Sequence, residues 1–235
     1  MMYSAVRFQF SCSLPGEIDI HHIGYRWLYE ECHVAHRDIS HSNLMFSRHG
    51  SLVKGVLNDF DLASVGAANS PLMPSHGTGT RLFMAIELLA PPDPMKGMPP
   101  RFYRHDLESL TYVLLWHASR YDDGVPIAPS PYQRWGDPSI DSDILEAYKI
   151  RFIHSEEPQL TGQFEGMREW IQKLQALFRN GFLARRQARG KDDLNFSDET
   201  LGGVVTFDAF ESICSESLQA LSSSETTGSF QSAHL

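Results

Sequence analysis

Apolar and polar residues alternate near the start of the chain. Val6, Phe8, Phe10 and Cys12 fall on one side of a two-residue period, which predicts a strand, and Pro15-Gly16 closes it. The period then changes. Asp19 is placed to cap a helix in which Ile20, Ile23 and Trp27 recur at helical spacing. Residues 44–46 and 52–57 read as two short strands joined by Ser47-Arg48-His49-Gly50. Residues 107–116 are almost continuously apolar, the signature of a helix buried on all sides. Residues 122–143, rich in Asp, Pro and Ser, predict loop. Phe164, Met167, Trp170, Ile171, Leu174, Leu177 and Phe178 then form an amphipathic helical stripe that belongs in a core. From Ser215 onward Ser and Thr dominate, and large apolar groups are too few to offset the entropy of ordering. The pattern predicts a mainly α fold with one short β-hairpin.

Composition narrows this little. The chain has 235 residues, 42% hydrophobic and 21% charged, ordinary values for one folded domain. Its net charge of −9 argues against nucleic acid and anionic membrane surfaces as partners. No run approaches the ~18 apolar residues of a membrane span, and Arg7 and Gln9 interrupt the start, so no signal peptide is expected. Cys12, Cys32 and Cys214 are scattered without metal spacing, which suits free thiols in an intracellular, reducing compartment, cytoplasmic or nuclear. The adjacent His21 and His22 would point apart on a helix and make no metal site.

The chemistry concentrates in His36-Arg37-Asp38-Ile39-Ser40-His41-Ser42-Asn43 and, shortly after, Asn58-Asp59-Phe60-Asp61. Phosphoryl transfer needs a carboxylate to orient the attacking hydroxyl and oxygen ligands for magnesium. Asp38 can supply the first; Asn43 and Asp59, at the two ends of the predicted hairpin, can supply the second. Turn-favouring Asp, Ser and Asn capping a helix would be the plainer reading of the first run alone. The Asp-Phe pair downstream weighs against it.

These motifs resemble the C-terminal lobe of a eukaryotic-type protein kinase, and more narrowly the fungal-type protein kinase family. That family's catalytic loop reads H-R-D-I-S, and its metal loop reads D-F-D-L-A, as residues 59–63 do here. Residues 79–87, Gly-Thr-Arg-Leu-Phe-Met-Ala-Ile-Glu, resemble the end of an activation segment. Residues 104–110, Arg-His-Asp-Leu-Glu-Ser-Leu, resemble the start of the buried helix that anchors such a lobe. The clear match runs from about Asp19 to Trp116 and thins towards residue 213. The resemblance implies ATP and Mg2+ as cofactors and a protein Ser/Thr hydroxyl as acceptor. It implies catalytic or substrate-facing roles for Asp38, Arg37, Ser40 and Thr80, and ATP–metal binding by Asn43 and Asp59. His36, Asp106 and Glu87 become structural anchors, with Asp106 bonded to backbone near His36-Arg37. Arg37 is the natural partner of a phosphate placed on the Ser-rich loop 63–80. An arginine of the basic run 185–191 is the kinase partner of Glu87, although a solvated helix end is the expectation here.

Departures from the pattern matter too. Asp61 replaces the usual glycine of the metal loop; it tolerates left-handed backbone and adds a carboxylate beside Asp59. Ser40 stands where kinases carry a phosphate-touching lysine, and it has no charge to offer. No Gly-rich loop or V-A-I-K lysine precedes residue 19. The organisation expected is a remnant strand or hinge of an N-lobe over 1–18, a kinase-like C-lobe over 19–213, and a disordered Ser-rich tail over 214–235. With the N-lobe largely missing, the isolated chain is expected to have negligible kinase activity and to associate through its uncovered upper face. Two alternatives remain open: a non-catalytic pseudokinase or docking module, and a small-molecule kinase of the aminoglycoside or choline type. Arg37 and residues 79–87 argue against the second.

Overall fold

A computed structural model describes residues 22–49, 52–65, 80–90 and 99–228. The strand expected over 6–12, the cap at Asp19, most of loop 63–80 and the proline-rich segment 91–98 lie outside these residues. Helix α1 (His22–Glu30) leads into a two-residue strand β1 (Val34–Ala35) and then the loop that bears Asp38. Strands β2 (Leu44–His49) and β3 (Leu52–Leu57) form an antiparallel hairpin with Leu44 opposite Leu57. Strand β4 (Ser64–Val65) returns to pair with β1, so the loop and the hairpin are closed between two antiparallel pairings. Helix α2 (Ile86–Leu89) is a single turn. Helix α3 (Tyr103–Arg120) follows, then a small ladder of β5 (Tyr121–Asp122) and β6 (Val125–Pro126), and then α4 (Ser142–His154), α5 (Arg168–Arg189) and α6 (Phe207–Gly228). The fold is mainly helical, with three two-stranded sheets among the described residues.

Helix α3 runs through the middle. Leu107, Tyr112, Val113, Leu115 and Ala118 are buried, and so are its polar residues Arg104, His105, Asp106, Glu108, Ser109 and Thr111. The predicted stripe is buried throughout, with Phe164 and Met167 in a 3-10 turn (Gly162–Met167) and Trp170, Ile171, Leu174, Leu177 and Phe178 in α5, which packs against α3. Gly181 lets α5 approach the 201–205 turn, since a Cβ there would lie 2.8 Å from Leu201 Cδ1.

Three expectations are corrected. Trp27 is 58% exposed, and Tyr25 is the residue of α1 that enters the core. Tyr25 carries its hydroxyl to a buried carboxylate, and Trp27, two residues further on, falls on a different face of the helix. The segment 122–143 is more than loop. Its 3-10 turn (Gln133–Gly136) buries Trp135, and Tyr132 beside it packs on Phe152. Finally, the Ser-rich segment does not leave the fold at 214: α6 continues to Gly228, with Cys214 and Ser217 buried and Leu218 and Leu221 packed on the core. Those four recur at helical spacing, so a sparse stripe suffices where a complementary face already exists. No described helix is long and apolar enough to cross a membrane.

Candidate active site

The loop 36–43 is held from within. His36 is fully buried; its Nε2 lies 3.0 Å from the Asn58 carbonyl, and the Asp38 N–H donates to Nδ1 at 3.3 Å. Those two contacts assign the proton to Nε2. The ring also packs edge-on against Phe60 at 4.7 Å, so one imidazole joins the two motifs. Arg37 adopts φ 72°, a left-handed conformation uncommon outside glycine, and this turn sets the direction of Asp38. Its N–H donates to Asp106 Oδ2 at 3.2 Å, and its carbonyl accepts from Arg101 at 3.0 Å. Asp106 thus bonds to the backbone of the loop at Arg37.

Asp38 is fixed at both carboxylate oxygens. Oδ1 accepts the main-chain N–H of Thr80 at 2.8 Å, and Oδ2 accepts from Asn43 Nδ2 at 3.2 Å. Asn43 Nδ2 also donates to the Asp38 carbonyl at 2.9 Å. With its nitrogen engaged twice, Asn43 has its amide oxygen to offer a cation, and that oxygen also accepts from the Ser42 hydroxyl at 3.4 Å. Asn43 and Asp59 are linked through the hairpin, because the Asn58 N–H donates to the Asn43 carbonyl at 2.8 Å. Asp59 is exposed and has φ 64°. The left-handed residue is thus Asp59 itself, not Asp61, whose N–H instead donates to Asp59 Oδ1 at 3.4 Å.

Ser40 is fully buried and its hydroxyl lies 2.9 Å from Ser42 Oγ, so in this arrangement it turns inward. Glu87 takes three partners: Arg104, Arg185 and, at 3.0 Å, His105 Nε2. Arg185 is therefore engaged, where a solvated helix end was expected. Its place becomes visible only when α5 packs beside α2. Burial holds His105 well below the ordinary histidine range, and Arg104 adds to this. The neutral ring donates from Nε2 to Glu87, while Nδ1 accepts the Phe102 N–H at 3.1 Å.

A small pocket opens beside Asp38, lined by Arg37, Thr80, Met84, Leu88, Arg101 and Ser109 among others. Arg101 was not singled out in the sequence. Burial lowers its pKa, and the neighbouring Arg37 guanidinium adds to this. On the other side of the loop, Met45 and Val56 are cross-strand partners and both are partly exposed. Cross-strand partners share a face, so they present one apolar surface next to Asn43. Phe60, Val65 and Trp27 are exposed as well.

Among the described residues no group of three or more His, Cys, Asp and Glu is arranged to hold a metal. Asn43 and Asp59 form a sparser oxygen set. A set this sparse could hold only an ion that keeps several waters and takes phosphate oxygens in preference to a full protein cage, as magnesium does.

Comparison with protein families matches residues 20–118 to the fungal protein kinase family. No curated protein and no solved structure matches the chain.

Proposed function

We propose that the described residues form a kinase-type C-lobe that directs the γ-phosphoryl of ATP to a protein Ser or Thr hydroxyl, a reading supported by the match of residues 20–118 to the fungal protein kinase family. The observation that carries this reading is the double restraint on Asp38, by Thr80 N–H on one oxygen and Asn43 on the other. A carboxylate so held can orient an acceptor hydroxyl and take its proton without reorganising. Thr80 heads the segment 80–90, so the same bond sets the wall against which a substrate chain would lie.

Asn43, through its amide oxygen, and Asp59 would hold magnesium, which when bound neutralises charge on the transferring phosphate. Met45 and Val56 offer an apolar face for the flat base of the nucleotide. His36 keeps the two motifs in register. Ser40 contributes no charge, and its inward hydroxyl favours slow chemistry or a docking role as the second reading.

The test is transfer of radiolabelled γ-phosphate to a generic protein substrate. It is run on the 235-residue chain and on a chimera that places a Gly-rich, lysine-bearing lobe ahead of residue 19. The chain alone is expected to have negligible activity, because no described residue supplies the Gly-rich loop and lysine that hold the phosphates from above. The chimera is expected to be active with Mg2+, and Asp38→Asn should abolish that activity. Activity that survives Asp38→Asn removes Asp38 from its role. A folded, inactive chimera that still binds ATP favours the docking reading.

A further inference from the structure

Two fully buried charged residues lie beneath the segment that reaches Asp38, and neither is explained by the site itself. Lys149 projects from α4 and Glu108 from α3, each with no exposed surface. Burying one ionised group costs several kcal/mol unless it is paired and bonded, so such a pair needs a reason. Lys149 Nζ donates to the Met84 carbonyl. Glu108 Oε1 accepts the Ile86 N–H at 2.8 Å and the Tyr112 hydroxyl at 2.7 Å. The ammonium lies 4.4 Å from the Tyr112 ring centroid and 5.8 Å from that of Trp135. Glu108 Oε2 is buried too, with no hydrogen-bond partner among the described residues.

The short segment 84–86 is therefore gripped at a carbonyl by the Lys149 amino group from one helix and at an N–H by the Glu108 carboxyl from another. From Met84 the chain runs back through two tight turns. Met84 N–H donates to the Arg81 carbonyl at 3.3 Å and Phe83 N–H to the Thr80 carbonyl at 2.7 Å. Thr80 then donates to Asp38. This is an unbroken set of bonds from α3 and α4 to the carboxylate.

We propose that Lys149 and Glu108 are positioning residues, a hydrogen-bonded brace that holds segment 80–90 so that Thr80 engages Asp38. The proposal rests on the kinase reading only for the purpose of Asp38; the brace can be tested without turnover. An apolar pair of equal volume would fill the same space but would leave the Met84 carbonyl and the Ile86 N–H unbonded.

Titration shows whether Lys149 is exposed when the segment opens. Burial depresses Lys149 to about 7, against the pull of Glu108 and with the push of Arg81. Glu108, also raised by burial, and Tyr112 face it from α3, and Arg81 faces it from the segment. Any opening that lets water reach Nζ takes up a proton. Opening is therefore resisted increasingly as pH rises above 7, by up to about tenfold per pH unit towards the ordinary lysine value.

Hydrogen exchange on the full chain, read by mass spectrometry, tests this. The peptide covering 80–89 is compared with one covering 170–178 in α5, with chemical exchange rates corrected for pH. In Lys149→Met, protection of 80–89 should fall at least tenfold while 170–178 is unchanged. Wild-type protection of 80–89 should rise between pH 7 and 9, and the variant should lose that slope. Should Lys149→Met fail to fold, Tyr112→Phe keeps the ring and drops only the hydroxyl on Glu108; a several-fold loss confined to 80–89 is expected. Unchanged protection in Tyr112→Phe and Lys149→Met, or the same pH slope with and without Lys149, overturns the brace. Failure of phosphoryl transfer leaves these readings untouched, so the two proposals fail separately.

Discussion

Tyr25 donates its hydroxyl to Asp106 Oδ2 at 2.5 Å, across 81 positions of sequence, and the same oxygen accepts the Arg37 N–H. Helix α1, the loop bearing Asp38 and helix α3 therefore converge on one buried carboxylate. Burial, then the charge of Asp106, pushes the Tyr25 phenol well above its ordinary value, so it remains a donor at any physiological pH.

Asp106→Ala should cost roughly 2–4 kcal/mol, because it strands a buried hydroxyl and a backbone N–H together. Tyr25→Phe, which leaves the carboxylate one donor short, should cost roughly 1.5–3 kcal/mol. Denaturant unfolding of both variants and of the double mutant checks this. Additive losses would show that the two residues do not share a bond.

The cluster on Glu87 should make stability depend on pH. His105 is neutral in the fold and would take a proton near 6.5 once unfolded. Its contribution is complete above that value and is lost as pH falls below it, since the unfolded chain then binds more protons. Stability should fall between pH 7.5 and 5.5, by at most about 1.4 kcal/mol for a ring that stays neutral throughout. His105→Gln should remove this component from the difference between the two unfolding curves. An unchanged pH dependence would mean that the ring is protonated in place.

Manganese, a spectroscopically convenient substitute for magnesium, should raise the melting temperature of the wild-type chain by mass action. Asp59→Ala should reduce that shift strongly. Asp61→Ala should reduce it less, because Asp61 meets Asp59 through its main-chain N–H. Thermal melts over a manganese series give the comparison. Equal shifts in wild type and Asp59→Ala would remove Asp59 as a ligand.

Two truncations locate the edge of the fold. Removing residues 222–235 should cost little. Removing 214–235 takes away Cys214, Ser217, Leu218 and Leu221 from the face of α6 that meets the core, and should cost roughly 3 kcal/mol or more. Equal stability of the two truncated chains would return 214–221 to a tail.

The parts of this protein legible in its sequence are those whose chemistry is local. The spacing of Asp38 and Asn43 follows from one loop; Asn43 and Asp59 are brought together by one hairpin; the α5 stripe repeats every three or four residues. Short-range geometry decides each, so residue order suffices. What the tertiary structure alone decided are pairings between distant segments: Tyr25 with Asp106, Arg185 with Glu87, Lys149 with Met84. Glu108 lies within the apolar run of α3, whereas Lys149 lies one turn from Leu145 on a face of α4 whose burial only the structure shows. Neither pattern names a partner. A buried charge is tolerated only where another element arrives with its bond, and which element arrives is set by how α2, α3, α4 and α5 pack.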